Sequence, residues 1–222
     1  MNPPAHYKNS ISAFILLSVC LLCIAAASGN EMTETDIAKV RENLSQYTFT
    51  MGQFQQIRTI TGIPKPLTSS GRFAIWNQHG IYWQTEAPFF SATSYTGTDI
   101  IDWNEDLTPL PNRGSLGTIQ KYINEVMVAL FNVDEDELNR YFALHWSGDN
   151  ASWQLQLTPT MSAIKRNIYQ ITLNGGLQVD TVKVESAQHD ITTIQFSDVS
   201  AGNQVDSNLC PRFFRLSNSA CN

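Results

Sequence analysis

From Tyr47 to Asp102 large apolar residues recur at alternate positions in short runs. Phe73 and Ile75 form one such pair, Ile81 and Trp83 another, and Gly62, Pro64, Pro66, Gly71 and Gly80 punctuate the sequence around them. Period-two alternation with β-branched and aromatic enrichment marks half-buried strands joined by tight turns. The pattern predicts strands over 47–60, 67–76, 80–86, 89–96 and 98–103. Their short connections make an antiparallel meander, interrupted at Pro88 and Gly97.

Helical spacing occurs on either side of this meander. Thr33–Gln46 places Ile37, Val40, Arg41 and Leu44 on one side, behind Thr33 or Thr35 as a cap. Ile119–Phe131 carries Ile119, Tyr122, Ile123, Val126, Met127 and Leu130 as one continuous stripe. Gln120, Lys121, Asn124 and Glu125 form its polar side. A short helix is expected over Asp134–Tyr141, with Asp134, Glu135 and Asp136 in the first turn, where the helix dipole favours negative charge. Alternation then resumes in Phe142–Trp146, Ser152–Thr158, Asn167–Leu173, Leu177–Ser186 and Asp190–Phe196. Asn174-Gly175-Gly176 is a hairpin signal, Thr158–Met161 can start a single helical turn, and the Ser/Asn-rich tail from Asp198 reads as irregular.

The expected fold class is mainly β with an α lid, a curled antiparallel sheet of about ten strands covered by amphipathic helices. A sheet of that width curls toward a barrel or half-barrel. The helix stripes need an apolar partner, and the inside of the curled sheet is the nearest one. Neither an internal repeat nor a dividing linker is evident, so residues 29–222 are expected to form one domain.

Residues 1–28 read differently. A short polar start with His6 and Lys8 leads into an apolar run from Ile11 to Ala27, and Ala25-Ala26-Ala27 offers a cleavage site. This is the pattern of a secretory signal peptide. Cys20 and Cys23 raise the possibility of lipidation, but Val19 and Leu22 precede them where a small residue is wanted, so cleavage near Ala27 fits better. Removing Lys8 moves the formal net charge from −6 to −7. That acidity argues against nucleic acid and against anionic lipid headgroups as partners. Cys210 and Cys221 remain, and in an oxidising compartment a pair this close is expected to bond. Closing such a loop is worth roughly 3 kcal/mol in the chain-entropy model.

Little in the chain suggests catalysis. His79, His145 and His189 are far apart and lack metal-ligand spacing. Gly-x-Ser-x-Gly, a phosphate-binding glycine loop and a Cys-x-x-Cys beyond the leader are all missing. The acids Asp134–Glu137 do not have the spacing of a calcium loop and are better read as a solvated helix start. No metal, cofactor or enzyme activity is expected. The aromatics are more informative: Trp76, Trp83, Trp103, Trp146 and Trp153, with Phe54, Phe73, Phe89 and Phe90, all fall in expected strands. Each alone is a core residue. As a set, they exceed what a one-sided helix layer can fill, leaving an apolar patch or cavity. Burying an acyl chain of about sixteen carbons at ~0.8 kcal/mol per methylene would release on the order of 10 kcal/mol.

Several of these runs are similar to the LolA-type periplasmic lipoprotein carriers. Gly52-Gln53-Phe54-Gln55-Gln56 resembles that family's first strand. Gly71-Arg72-Phe73, Gly80-Ile81-Tyr82-Trp83 and Thr85-Glu86-Ala87-Pro88 follow in its order and spacing. Thr98–Trp103, Trp153–Pro159 and Ile168–Asp198 continue the likeness over nearly all of the chain beyond the leader. The resemblance implies an unclosed barrel with a helical lid over an apolar cavity. It also implies a soluble periplasmic shuttle that takes acylated lipoprotein from an inner-membrane release complex to an outer-membrane receptor; a monomer is expected. Where such carriers have a lid-latching arginine after the second strand, this chain has Asn77, a neutral donor that makes a weaker latch. The segment Arg58–Leu67 resembles a divergent branch associated with glycolipid or polyene-lipid export.

The expected cavity residues are Phe54, Phe73, Ile75, Ile81 and Trp83 from the sheet, with Ile119, Tyr122, Ile123, Val126, Met127 and Leu130 from the lid. Three functions remain in play at this point. One is a carrier of lipoprotein, glycolipid or another lipid. The second is a periplasmic scaffold whose apolar face binds a protein. The third, disfavoured by the missing chemistry, is a lipid-directed enzyme.

Overall fold

The computed structural model describes residues 31–96, 99–111, 129 and 134–214. Helix α1 spans Glu34–Ser45, α2 spans Glu135–Leu138 and α3 spans Ser162–Lys165. The strands are β1 Phe49–Thr59, β2 Leu67–Trp76, β3 Gly80–Ala87, β4 Ser91–Thr96, β5 Ile100–Trp103, β6 Phe142–Gly148, β7 Trp153–Pro159, β8 Ile168–Gly175, β9 Val179–Ser186 and β10 Ile191–Gly202. A 3-10 turn at Cys210–Phe213 ends the described chain. The stripe Ile119–Leu130, the leader 1–28 and Cys221 lie outside the described residues. Ala129 alone of the expected lid segment is described, and it is buried against the core.

All ten strands form one antiparallel sheet in the order β5-β4-β3-β2-β1-β10-β9-β8-β7-β6. Each meander pairs with itself in sequence order. The pairing of β1 with β10, the first strand with the last, joins the two meanders in the middle. β5 and β6 are the two edges, so the sheet is not closed into a barrel.

Register decides which side chains share a face, because directly paired residues point the same way. Phe54 pairs with Phe196, Ile194 with Val182, Val182 with Leu173 and Leu173 with Leu155. In the other direction Gly52 pairs with Phe73, Phe73 with Trp83 and Ile81 with Tyr95. One apolar face therefore runs across the full width of the sheet. Helix α1 packs on the β6–β9 half of it through Ile37, Val40 and Leu44, the stripe expected from its spacing. Thr33 caps the helix by accepting from the Asp36 amide.

The opposite face differs between halves. Around β7–β9 it is polar, with Gln154 bonded to Asn174 and Asn174 to Thr181. Around β1–β5 it is apolar: Phe49, Ala74, Tyr82, Ala92, Ile101 and Trp103 are buried with Phe213 of the 3-10 turn. Ser94, fully buried there, donates to the Arg212 carbonyl and accepts from Trp103 Nε1 at 2.8 Å. The C-terminal segment thus covers a second core.

Two expectations change. The tail is not irregular from Asp198, because β10 continues to Gly202 along β1. Serines and glycine there carry no apolar alternation, but the β1 backbone supplies the ladder. The pairing shifts register between Met51 and Gln53, around Gly52. A Cβ at Gly52 would lie 2.9 Å from the Ser197 carbonyl oxygen and 3.0 Å from the Phe73 ring, so only glycine fits this close approach. The helix expected over 134–141 is only one turn long. Asp134 caps it by accepting from the Glu137 amide, and by Phe142 the chain has entered β6.

Candidate apolar binding site

At one end of the sheet, α1 stops short of the apolar face. Between them lies a cavity of about 250 Å³. Its floor is Phe73 and Ile75 of β2 with Phe196 and Val199 of β10. Leu44, Gln46 and Tyr47 close it on the helix side, and Leu177 and Gln178 of the β8–β9 turn with Val179 at the start of β9 on the other. Leu177 is 78% exposed and Tyr47 37% exposed, so two large apolar side chains stand in solvent at the mouth. Uncharged polar groups of Asn43, Gln46, Asn77 and Gln178 complete the wall. Such a site can hold an apolar chain and hydrogen-bond an uncharged head near the entrance; it offers nothing for covalent chemistry.

Of the expected cavity residues, Phe73 and Ile75 line it. Phe54, Ile81 and Trp83 lie on the same face behind them. Phe54 stacks on Trp83 with centroids 3.9 Å apart, and Phe73 meets Phe196 edge-on at 4.9 Å. This aromatic cluster fixes the floor. Sequence reading missed Phe196, Val199, Leu44 and Val179. Phe196 and Val179 fell in expected strands and Leu44 in the expected helix stripe. Only the β1–β10 pairing brings these three elements together, and a pairing of chain ends leaves no local signal.

Asn77 bonds beside this cavity. Its Nδ2 donates to the Tyr47 carbonyl at 2.9 Å, and its backbone amide donates to the Thr48 carbonyl at 2.8 Å. It ties the β2–β3 turn to the link between α1 and β1. A second fastening holds the middle of the helix. Arg41 Nη1 and Trp146 Nε1 each donate to Glu135, both at 2.6 Å. Glu135 therefore joins α1, α2 and the edge strand β6. The sequence suggested only a helix start there, because its partners are 94 and 11 residues away.

The histidines do not converge. His79 stacks on Trp76, His145 is exposed on β6, and His189 bonds Glu185 at 2.9 Å. Among the described residues no group of His, Cys, Asp or Glu is placed to hold a metal ion. Burial raises the phenol pKa of Tyr82, with Arg212 and Arg72 opposing, and burial also raises that of Tyr95.

Residues 27–196 match the family described as outer membrane lipoprotein carrier protein LolA-like. The chain belongs to this family. Among solved structures, this LolA-like chain is similar to a LolA superfamily protein from Nitrosomonas europaea. That match covers 79% of this chain and 95% of the other, with 9% identity and a TM-score of 0.45. A DUF1329 family protein from Desulfovibrio piger matches over 80% of this chain and 97% of its own, with 12% identity and a TM-score of 0.40. MucB of Pseudomonas aeruginosa, solved with MucA, matches over 79% of this chain and 59% of its own, with 14% identity and a TM-score of 0.44. No curated protein matches by sequence.

Proposed function

We propose that this LolA-like protein is a periplasmic carrier that holds an acyl chain of a lipoprotein or related lipid without covalent chemistry. It takes that cargo from an inner-membrane release complex to an outer-membrane receptor. The supporting observation is the cavity between α1 and the Phe73–Ile75–Phe196–Val199 floor, in a chain of the LolA-like family. Its volume of about 250 Å³ falls below the roughly 300–1,000 Å³ of typical ligand sites. Only part of an acyl chain fits as it stands, so loading requires α1 to lift. The Asn77 and Glu135 fastenings are the contacts that such a movement would break. In the same compartment Cys210, buried at the start of the 3-10 turn, bonds Cys221. Alkylation without reductant should then modify neither thiol, whereas modification of both would refute the pairing.

The test is titration of delipidated protein with a fluorescent fatty acid. Saturable binding is expected. Filling the cavity with Leu44→Trp or Val199→Trp should weaken it at least about tenfold, since about two lost methylene contacts account for that much. Absence of saturable binding, or unchanged affinity in both variants, would contradict the carrier reading. Purification with a stoichiometric protein partner and no extractable lipid would point to a scaffold instead.

A further inference from the structure

The end of the sheet opposite the cavity mouth has its own character. The β3–β4, β1–β2, β9–β10 and β7–β8 connections lie there side by side, as the strand order requires. Three of them are bonded into one rim. Thr61 donates its amide to Asp190 at 2.9 Å and its hydroxyl to the Gln188 carbonyl at 3.3 Å, and the Ala187 amide donates to the Asn167 carbonyl at 3.0 Å. Tyr169 packs its ring near His189, with centroids 6.0 Å apart.

Seven large apolar residues are exposed among the described residues, and five of them stand at this end: Ile63, Leu67, Phe89, Met161 and Tyr169. Phe89 is the most exposed at 82%. Such a concentration on a soluble surface marks a contact site. Exposed cations lie among them: Lys65 in the β1–β2 connection, and Lys165 and Arg166 at the end of α3. No acid among the described residues pairs with these three. Of the neighbouring acids, Asp190 pairs with Arg58 at 3.7 Å and Glu86 with Arg72 at 2.5 Å, while Glu185 contacts the His189 ring at 2.9 Å. The remaining acids at this end sit at the two edges: Glu105 and Asp106 follow β5, and Asp134–Glu137 precede β6 beside the β7–β8 connection, where Glu135 and Glu137 pair with Arg41 and Arg140. Between these edges Arg58, Lys65, Lys165 and Arg166 outnumber Glu185 and Asp190, so the net charge of −6 hides a locally positive, apolar stretch of rim.

We propose that this rim docks on the surface of an anionic phospholipid bilayer. Isoleucine, leucine, methionine and aromatic side chains enter the headgroup boundary, while lysine and arginine stay with the phosphates. The charge pattern selects this occupant over a neutral apolar partner. Sequence-level acidity argued the other way because it averages over the surface, whereas screening limits each charge to about 8–10 Å. The geometry has a consequence. β1 has 11 residues, so at ~3.4 Å each the cavity mouth stands roughly 35 Å from the docked rim. A docked molecule presents its mouth to the aqueous side, suited to exchange with another protein. This inference does not need the cargo to be an acyl chain.

The experiment is flotation of the purified protein, as released from its native compartment, with vesicles of phosphatidylglycerol and phosphatidylcholine and with phosphatidylcholine alone. Binding should favour the anionic vesicles at least about tenfold and weaken as salt rises, since three basic residues give up to roughly 100-fold at low salt. Combining Lys65→Glu, Lys165→Glu and Arg166→Glu should abolish that preference. Ile63→Ser with Leu67→Ser should weaken binding to anionic vesicles about tenfold. Both sets should leave thermal unfolding and fatty-acid titration unchanged, which separates this proposal from the carrier reading. Equal binding to both vesicle types, no binding to either, or an undiminished preference after charge reversal would overturn it.

Discussion

Glu135 offers a sharp test of how α1 is held over the apolar face. Its carboxylate accepts from Arg41 and from Trp146, each at 2.6 Å. The two bonds are not equal in worth. The Arg41 side chain is 43% exposed, so its charge rehydrates when the partner is lost, and an exposed pair of this kind is worth about 0–1 kcal/mol. Trp146 is only 8% exposed, and its indole N–H would be left without an acceptor at about 1–3 kcal/mol. Glu135→Ala is therefore expected to lose about 2 kcal/mol, mostly through Trp146. For a chain of this size that is a drop of roughly 4–8 °C in melting temperature. Glu135→Gln keeps an acceptor for the indole and should lose less than about 1 kcal/mol, as should Arg41→Ala. In a Trp146→Phe background the effect of Glu135→Ala should fall by about half or more, because the orphaned donor is gone. The assay is urea unfolding with midpoints compared at constant slope. The reasoning fails if Arg41→Ala is as damaging as Glu135→Ala, or if Trp146→Phe leaves the Glu135→Ala effect unchanged.

Two further outcomes follow from the sheet itself. Gly52→Val puts a branched side chain against the Ser197 carbonyl and the Phe73 ring, and should lose about 1–3 kcal/mol by disturbing the β1–β10 pairing; an unchanged urea midpoint would contradict the close approach. Burial raises the folded-state pKa of Tyr82 above its ordinary 10.0, so the unfolded chain gives up this proton first as pH climbs. Stability is then full below about pH 10 and falls as pH rises through the folded value. Absorbance titration should show a late-ionising tyrosine, and its number should fall by one in Tyr82→Phe; no change between the two proteins would refute it.

Much of the architecture was legible in the sequence because alternation and burial coincide. Leu67–Trp76 was bounded without error, since Pro66 precedes it and the Asn77–His79 turn follows. β4 begins two residues later than expected because Pro88, Phe89 and Phe90 make the turn. What stayed hidden depends on distant pairing. Phe196 lies beside Phe54 only because the last strand returns to the first, and Val199 follows on a stretch that reads as a polar tail. The Glu135 fastening was invisible for the same reason. The positive rim escaped notice because its cations come from connections more than 90 residues apart, joined only by the order of the strands.

The carrier reading itself is met most directly by native mass spectrometry of protein recovered from its native host. The account predicts a bound species of acyl-lipid or lipoprotein mass at about one per chain, displaced by excess fatty acid and diminished in Val199→Trp. Protein that emerges free of lipid, and that takes up none when offered it, would contradict the account.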